Sequence, residues 1–361
     1  MKIALDISPI NTTNNSGHKV RGVGLYIRNL KNSLTRYCPE NKYVFIEDLH
    51  EFRGETDILH IPYFDPFFVH LPKVKRLPTV VTVHDLMPLV FPQHFPSGVR
   101  GYIKWKMQEF LVKRCDAIIT DSESSKKDIS FLLGYDPKNI HVVYLAASEE
   151  FRHENVNQTQ RNDLLKKYNL PEKFVLYVGD VTWNKNLPRL IRALSKTDIP
   201  AVMVGKTLKS QDYDPANLWN RDLQLINTEL KGVKNIYKLG FVQTADLVKL
   251  YNLASCLIFP SLYEGFGLPV LEAMQCGCPV ITTKNGSLPE VAGDAAMYIN
   301  GEDENDIIEN IRKVFVSDKL RKELSAKGLS QAQKFSWNKT ARETVAVYNK
   351  VYETAYQPDI Q

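Results

Sequence analysis

The chain has 361 residues, 43% of them hydrophobic and 24% charged, with a formal net charge of +5. That length exceeds what a single core usually supports, so two domains are expected, and the composition excludes a disordered or fibrous protein. No apolar run reaches the roughly 20 residues of a membrane span, Asp6 interrupts the stretch a signal peptide would keep apolar, and so mild a charge does not argue for nucleic acid, so a cytoplasmic protein is expected.

From the amino terminus, continuous apolar or β-branched runs read as strands at 2–7, 43–48, 58–62, 79–85, 117–122 and 141–145. They need not alternate, because a parallel strand is covered on both faces. Apolar positions at helical spacing predict helices over 24–36, 98–115 and 122–133, the last with Ser122 as N-cap and Glu123 in its first turn. Residues 151–171 turn polar and suit a linker followed by an amphipathic helix. A second series of strands follows at 174–180, 200–205, 235–240, 256–261, 279–283 and 296–300, and the chain closes with helices at 303–316, 318–334 and 337–356. This alternation predicts two doubly wound α/β domains with ligands at the carboxyl ends of the strands. The boundaries drawn from it are 1–165 and 166–338, with 339–361 a terminal helix that packs back on the first domain. The five cysteines lie mostly in apolar segments and read as reduced core thiols, and Cys276 and Cys278 lack the neighbours a metal site needs.

The stretch "YEGFGLPVLEAMQCGCPVITT" at 263–283 carries the most chemistry. Pro269 suits the first turn of a helix running to about Gln275, with Gly277 as its stop. The open N–H groups of such a helix favour an anion, best a phosphate, above Gly267 and Leu268. Glu264 then flanks the anion from the loop and Glu272 stays near it. Carboxylates beside a phosphate are awkward unless hydroxyls donate to them, as a ribose and a sugar ring do. The residues thus suggest a nucleotide-sugar clamp: helix end for the diphosphate, Glu272 for the ribose, Glu264 for the sugar. Taken alone, Glu272 also fits a surface acid compensating the helix dipole, and Lys185 a solvated loop lysine. A dinucleotide-dependent oxidoreductase would share doubly wound sheets, but no G-x-G-x-x-G follows either domain's first strand. A non-catalytic nucleotide-binding protein would leave Glu264 unexplained.

"EGFGLPVLEAMQCGCPVITTKNGSLPEVAGDAA" resembles the donor-binding signature of the retaining family 4 (group 1) glycosyltransferases, enzymes of the GT-B fold. Resemblance extends along nearly the whole chain: "RGVGLYIRNL" (21–30), "VTVHDL" (81–86), "TDSESSKKDI" (120–129), "YVGDVTWNKNL" (177–187), "LGFVQTADLVKLYNLA" (239–254) and "FSWNKTARETVAVY" (335–348). It implies two Rossmann-like domains facing a central cleft, the first binding the acceptor and the second the donor. It implies transfer of a hexose from a nucleoside-diphosphate sugar with retention and without a metal or other cofactor. By this likeness His84, Lys185 and Glu264 are the expected catalytic residues. The donor is expected against Gly179, Lys185, Phe241, Val242, Glu264, Gly265, Phe266, Gly267, Leu268 and Glu272, and the acceptor against Gly22, Gly24, Tyr26, Tyr63 and Asp85. For His84 a core histidine, and for the two N-terminal glycines a plain turn, stay open as alternatives. Many members carry a second basic residue where this chain has Asp180 or Asn184, so the diphosphate would rely on Lys185 unless Lys206 or Arg21 reaches it.

The pattern, with "HIPYFDPFF" (60–68), is similar to bacterial mannosyl- and rhamnosyltransferases of polysaccharide assembly. GDP-mannose is therefore the favoured donor and a UDP-hexose the alternative. The expected acceptor is a saccharide, lipid-linked in many such enzymes. The basic, aromatic-bearing segment 98–115 fits either a peripheral contact with an anionic membrane at its inner face or an ordinary solvated helix.

Overall fold

The computed structural model describes residues 1–10, 22–49, 52, 54–210 and 213–357. The chain divides into two compact units: Met1–Pro92 with Ser97–Ala146 and Phe335–Gln361, and Gln93–Pro96 with Ala147–Lys334.

In the first unit, six strands form one sheet: β1 (Lys2–Asp6), β2 (Lys42–Ile46), β3 (Ile58–Ile61), β4 (Thr79–Thr82), β5 (Ala117–Thr120) and β6 (Ile140–Val142), in the order β2-β1-β3-β4-β5-β6. Every pairing is parallel. Ile3, Leu5, Ile58, Val80, Val81 and Ile118 are fully buried, which is why these strands read as unbroken apolar runs. The helices are α1 (Gly22–Tyr37), α2 (Met87–Val90), α3 (Gly98–Val112) and α4 (Glu123–Leu133). Ser122 caps α4 by accepting from the Ser125 N–H. Gly22 and Gly24 fall inside the first turn of α1 rather than in a loop before it.

The second unit opens with α5 (Gln158–Tyr168), set by a capping box between Asn157 and Gln160. Its strands are β7 (Val175–Val178), β8 (Ala201–Val204), β9 (Ile236–Gly240), β10 (Leu257–Phe259), β11 (Val280–Thr283) and β12 (Ala296–Ile299). They form a parallel sheet in the order β12-β11-β10-β7-β8-β9. Around it lie α6 (Leu187–Ser195), α7 (Arg221–Glu229), α8 (Thr244–Leu253), α9 (Leu268–Gln275), α10 (Leu288–Ala292), α11 (Glu304–Val316) and α12 (Asp318–Ala332). The short segment Gln93–Pro96 belongs to this unit: the His94 ring stacks on Trp183 at 3.8 Å and Trp219 Nε1 donates to the Pro96 carbonyl.

The last helix, α13 (Trp337–Tyr356), returns to the first unit and packs on α1, β3 and β5. Its Tyr348 hydroxyl meets His60 Nδ1 at 2.6 Å, while His60 Nε2 meets the Thr82 hydroxyl at 2.8 Å. The buried imidazole is thereby partnered on both sides. Burial, with nearby His84 adding to it, lowers its pKa to about 3.

Candidate functional site

In the second unit the chemistry gathers at the carboxyl ends of β7 and β10. After β10 the chain runs through Ser261 to Gly267 and enters α9. Gly267 adopts φ +101°, and a Cβ there would sit 2.8 Å from Leu288 Cδ2, so the turn into the helix requires glycine. Pro269 has no N–H and that of Val270 bonds the Gly267 carbonyl at 3.0 Å, which leaves the Gly267 and Leu268 N–H groups at the open end of α9. The loop is held from behind. The Ser287 hydroxyl is shared between the carbonyls of Glu264 (3.0 Å) and Phe266 (2.7 Å). Gly286, at φ +57°, lies so close that a Cβ would be 2.6 Å from the Glu264 carbonyl oxygen.

Glu264 is 8% exposed, and its carboxylate binds Lys185 Nζ at 2.7 Å. Lys185 ends the short 3-10 turn Trp183–Lys185 that follows β7 and sits 4.9 Å from the Phe259 ring centre. Two residues far apart in sequence are thus brought into one ion pair. Burying a carboxylate is costly unless it is paired, and Lys185 supplies that partner. Asn184 fastens the same two loops: its Nδ2 donates to the Tyr263 carbonyl at 3.0 Å and approaches Glu264 Oε1 at 3.4 Å, and its carbonyl accepts from Leu262 N–H. Asp180 accepts from the Thr207 N–H at 3.1 Å and so serves the turn Lys206–Lys209. Both residues, at positions where the resemblance implied a second basic side chain, therefore hold the local loops together. Lys206 is exposed on that turn, and Arg21 lies outside the described residues.

Glu272 sits in the second turn of α9 and bonds neither Lys185 nor Glu264 among the described contacts. Its Oε2 accepts from the buried Tyr251 hydroxyl at 3.0 Å. Burial pushes its pKa up to about 7, against the opposing effect of that hydrogen bond. Gly179 lies one residue past β7 and donates to the Val204 carbonyl. After β9, Phe241 is strongly exposed whereas Val242 is buried.

In the first unit, His84 follows β4 and Asp121 follows β5, on neighbouring strands. His84 Nδ1 meets Asp121 Oδ2 at 2.7 Å. Burial would lower the imidazole pKa, but Asp121, with Asp85 and the Pro62 carbonyl, outweighs it and holds the ring above the ordinary histidine value. The Tyr26 ring packs edge-on against His84 at 4.7 Å, and its hydroxyl lies 3.2 Å from that of Thr82, so Tyr26 is a buried support beneath the histidine. Tyr63 is buried and stacks on His70 at 4.3 Å. Asp85 accepts from the Met87 N–H at 3.0 Å, two residues before α2. The sequence reading gave no role to Asp121, Ser287 or Tyr251, and noted Asn184 only as a departure from an expected basic residue. Only Asp121 left a signal, an acid at a strand end one residue before a helix cap. No group of three or more metal-ligating side chains forms among the described residues, nor is any helix there long and apolar enough to cross a membrane.

The pattern described as "Glycosyl transferases group 1" matches residues 160–331, and that of "Glycosyltransferase Family 4" matches residues 14–150. The chain belongs to this glycosyltransferase family. It is 31% identical to the O-antigen chain mannosyltransferase B of Escherichia coli over 79% of this chain and 73% of that one. It is 30% identical to the serotype-specific mannosyltransferase WbdA of Escherichia coli over 84% of this chain, but it spans only 38% of that relative's length. In fold it is similar to a sucrose-phosphate synthase from Thermosynechococcus elongatus, with a TM-score of 0.73 and 17% identity over 98% of this chain and 100% of the other. The glycosyltransferase has the two parallel six-stranded sheets of the GT-B fold.

Proposed function

We propose that this glycosyltransferase moves a mannosyl residue from GDP-mannose to a saccharide acceptor, with retention and without a metal ion, in bacterial polysaccharide assembly. The observation that carries the reading is the Lys185–Glu264 pair at 2.7 Å beside the open end of α9. When the donor enters, the diphosphate takes Lys185 and the helix-end N–H groups, and Glu264 turns to the sugar hydroxyls. The bond from the anomeric carbon to the phosphate oxygen breaks, the acceptor oxygen bonds the same face, and its proton leaves with the diphosphate. Lys185 and the helix end offset the charge that grows on the leaving group, a contribution that is large in many enzymes. Glu272 accepts from the ribose, and Phe241 and Val242 border the base. His84, held by Asp121, is the expected catalytic histidine of the first unit, which receives the acceptor. The mannosyl choice is supported by the names of the two Escherichia coli relatives. A lipid-linked acceptor, and with it a peripheral contact at the inner face of the membrane, belongs to the same reading.

Nucleotide release from a panel of GDP- and UDP-sugars, with and without EDTA, tests it. GDP release from GDP-mannose that survives the chelator is expected, and Glu264→Gln should lower it roughly 10²-fold, the size of one lost charged contact. UDP release alone would transfer the reading to a UDP-hexose. Loss with EDTA and rescue by Mn²⁺ would overturn the metal-independent mechanism.

A further inference from the structure

Lys185 rides on a turn too short to hold itself. The 3-10 turn Trp183–Lys185 closes through two bonds, from the Lys185 N–H to the Thr182 carbonyl at 3.0 Å and from the Asn186 N–H to the Trp183 carbonyl at 3.1 Å. Hydrogen bonds of this kind have poor geometry, so such a turn takes its place from what packs on it. Asn184 fastens it to the loop after β10. Trp183 is fastened by packing instead.

The packing comes from Gln93–Pro96, four residues that belong to the second unit although the chain on either side of them belongs to the first. The His94 imidazole lies face to face with the Trp183 indole, ring centres 3.8 Å apart and planes 11° from parallel. Phe95, 3% exposed, meets the same indole edge-on at 6.2 Å, and meets the Trp219 ring edge-on at 5.1 Å. Trp219 Nε1 closes the set by donating to the Pro96 carbonyl at 3.2 Å. Stacked and edge-on aromatic pairs stabilise beyond the area they bury. Burial, with Arg221 adding to it, keeps the His94 pKa below the ordinary histidine value, so at neutral pH the ring packs as a neutral face and not as a cation. None of these rings offers charge to a diphosphate. What they fix is the place of Trp183, and with it that of Lys185 two residues on.

We infer that His94 is a positioning residue for the donor: by stacking on Trp183 it sets the turn that aims Lys185 at the diphosphate. This rests on the reading of Lys185 given above and deepens it. Misplacing a group by about 1 Å can cost on the order of 10²-fold, so losing the stack should weaken diphosphate binding without removing any group that touches it.

Competition titrations of GDP and guanosine into the wild type, His94→Ala, His94→Phe, Lys185→Ala and the double variant His94→Ala with Lys185→Ala test it, with melting temperatures read alongside. His94→Ala should weaken GDP about tenfold and leave guanosine unchanged, because guanosine has no phosphate for Lys185 to hold. His94→Phe, which keeps a flat ring, should bind GDP within about threefold of the wild type. In the Lys185→Ala background, His94→Ala should change GDP binding by less than about twofold, since effects that pass through one shared group do not add. Should His94→Ala fail to fold, His94→Leu, which keeps an apolar contact but no flat face, takes its place with the same expectations. GDP binding unchanged in the alanine variant, equal losses for GDP and guanosine, a phenylalanine variant as weak as the alanine one, or a full further loss on top of Lys185→Ala would each overturn the inference. The reading beneath it fails differently. Lys185→Ala that binds GDP like the wild type removes that reading and this inference together, whereas a weakened Lys185→Ala beside an unaffected His94→Ala removes the inference alone.

Discussion

Glu264 and Glu272 are eight positions apart and meet opposite environments. Glu264 has Lys185 at 2.7 Å, whereas Glu272 accepts from a tyrosine hydroxyl, and burial raises its pKa to about 7. A carboxyl with a raised folded-state pKa is best tolerated when protonated. Its contribution to stability is therefore greatest below its unfolded pKa of about 4.3, declines as pH rises from there to about 7, and is flat above. Compared with Glu272→Gln, the wild type should lose on the order of 2 kcal/mol across that window, read from urea midpoints between pH 4 and 8. Parallel curves for the two proteins would contradict the assignment. Lys185, Glu264 and Glu272 were singled out in the sequence because each sits in a contiguous motif, and the fold brings the first two together. The contacts of Asp121, Asn184 and Ser287 were not legible there, because their value lies in partners 37, 80 and 23 residues away that only the folded chain brings near.

At the scale of elements, the order of strands and helices followed from apolar runs and caps such as Ser122, since a parallel strand and a capped helix are both local signatures. The loop 261–267 was readable as a loop but not as a braced one. Its brace is the turn at Gly286, whose backbone nearly touches that of Glu264. Gly286→Ala places a Cβ 2.6 Å from the Glu264 carbonyl oxygen at a positive φ. That substitution should cost roughly 1 to 2 kcal/mol and lower turnover without touching any donor-facing side chain. Unchanged melting and unchanged turnover would show that the loop tolerates displacement. For segment 98–115 the sequence left a membrane-facing and a solvated helix open; in the structure α3 buries Trp105, Leu111 and Val112 and leaves Val99, Tyr102, Ile103, Met107 and Phe110 exposed.

At the scale of the whole molecule, each unit has its own parallel sheet and core, with α13 supplying the first unit with residues distant in sequence. GDP at about 100 times its dissociation constant should stabilise the unit that binds it by about 2.7 kcal/mol. Calorimetric melting should show a delayed transition that protease mapping assigns to residues 147–334. A shift confined to the other unit would misplace the donor. The central claim is that Lys185, paired with Glu264, receives the donor diphosphate, and its most direct test is isothermal titration of GDP-mannose into the wild type and Lys185→Ala. Saturable binding by the wild type, weakened about 10- to 100-fold in the variant by loss of a charged contact, is the predicted result. Equal affinity of the two proteins for GDP-mannose would contradict it.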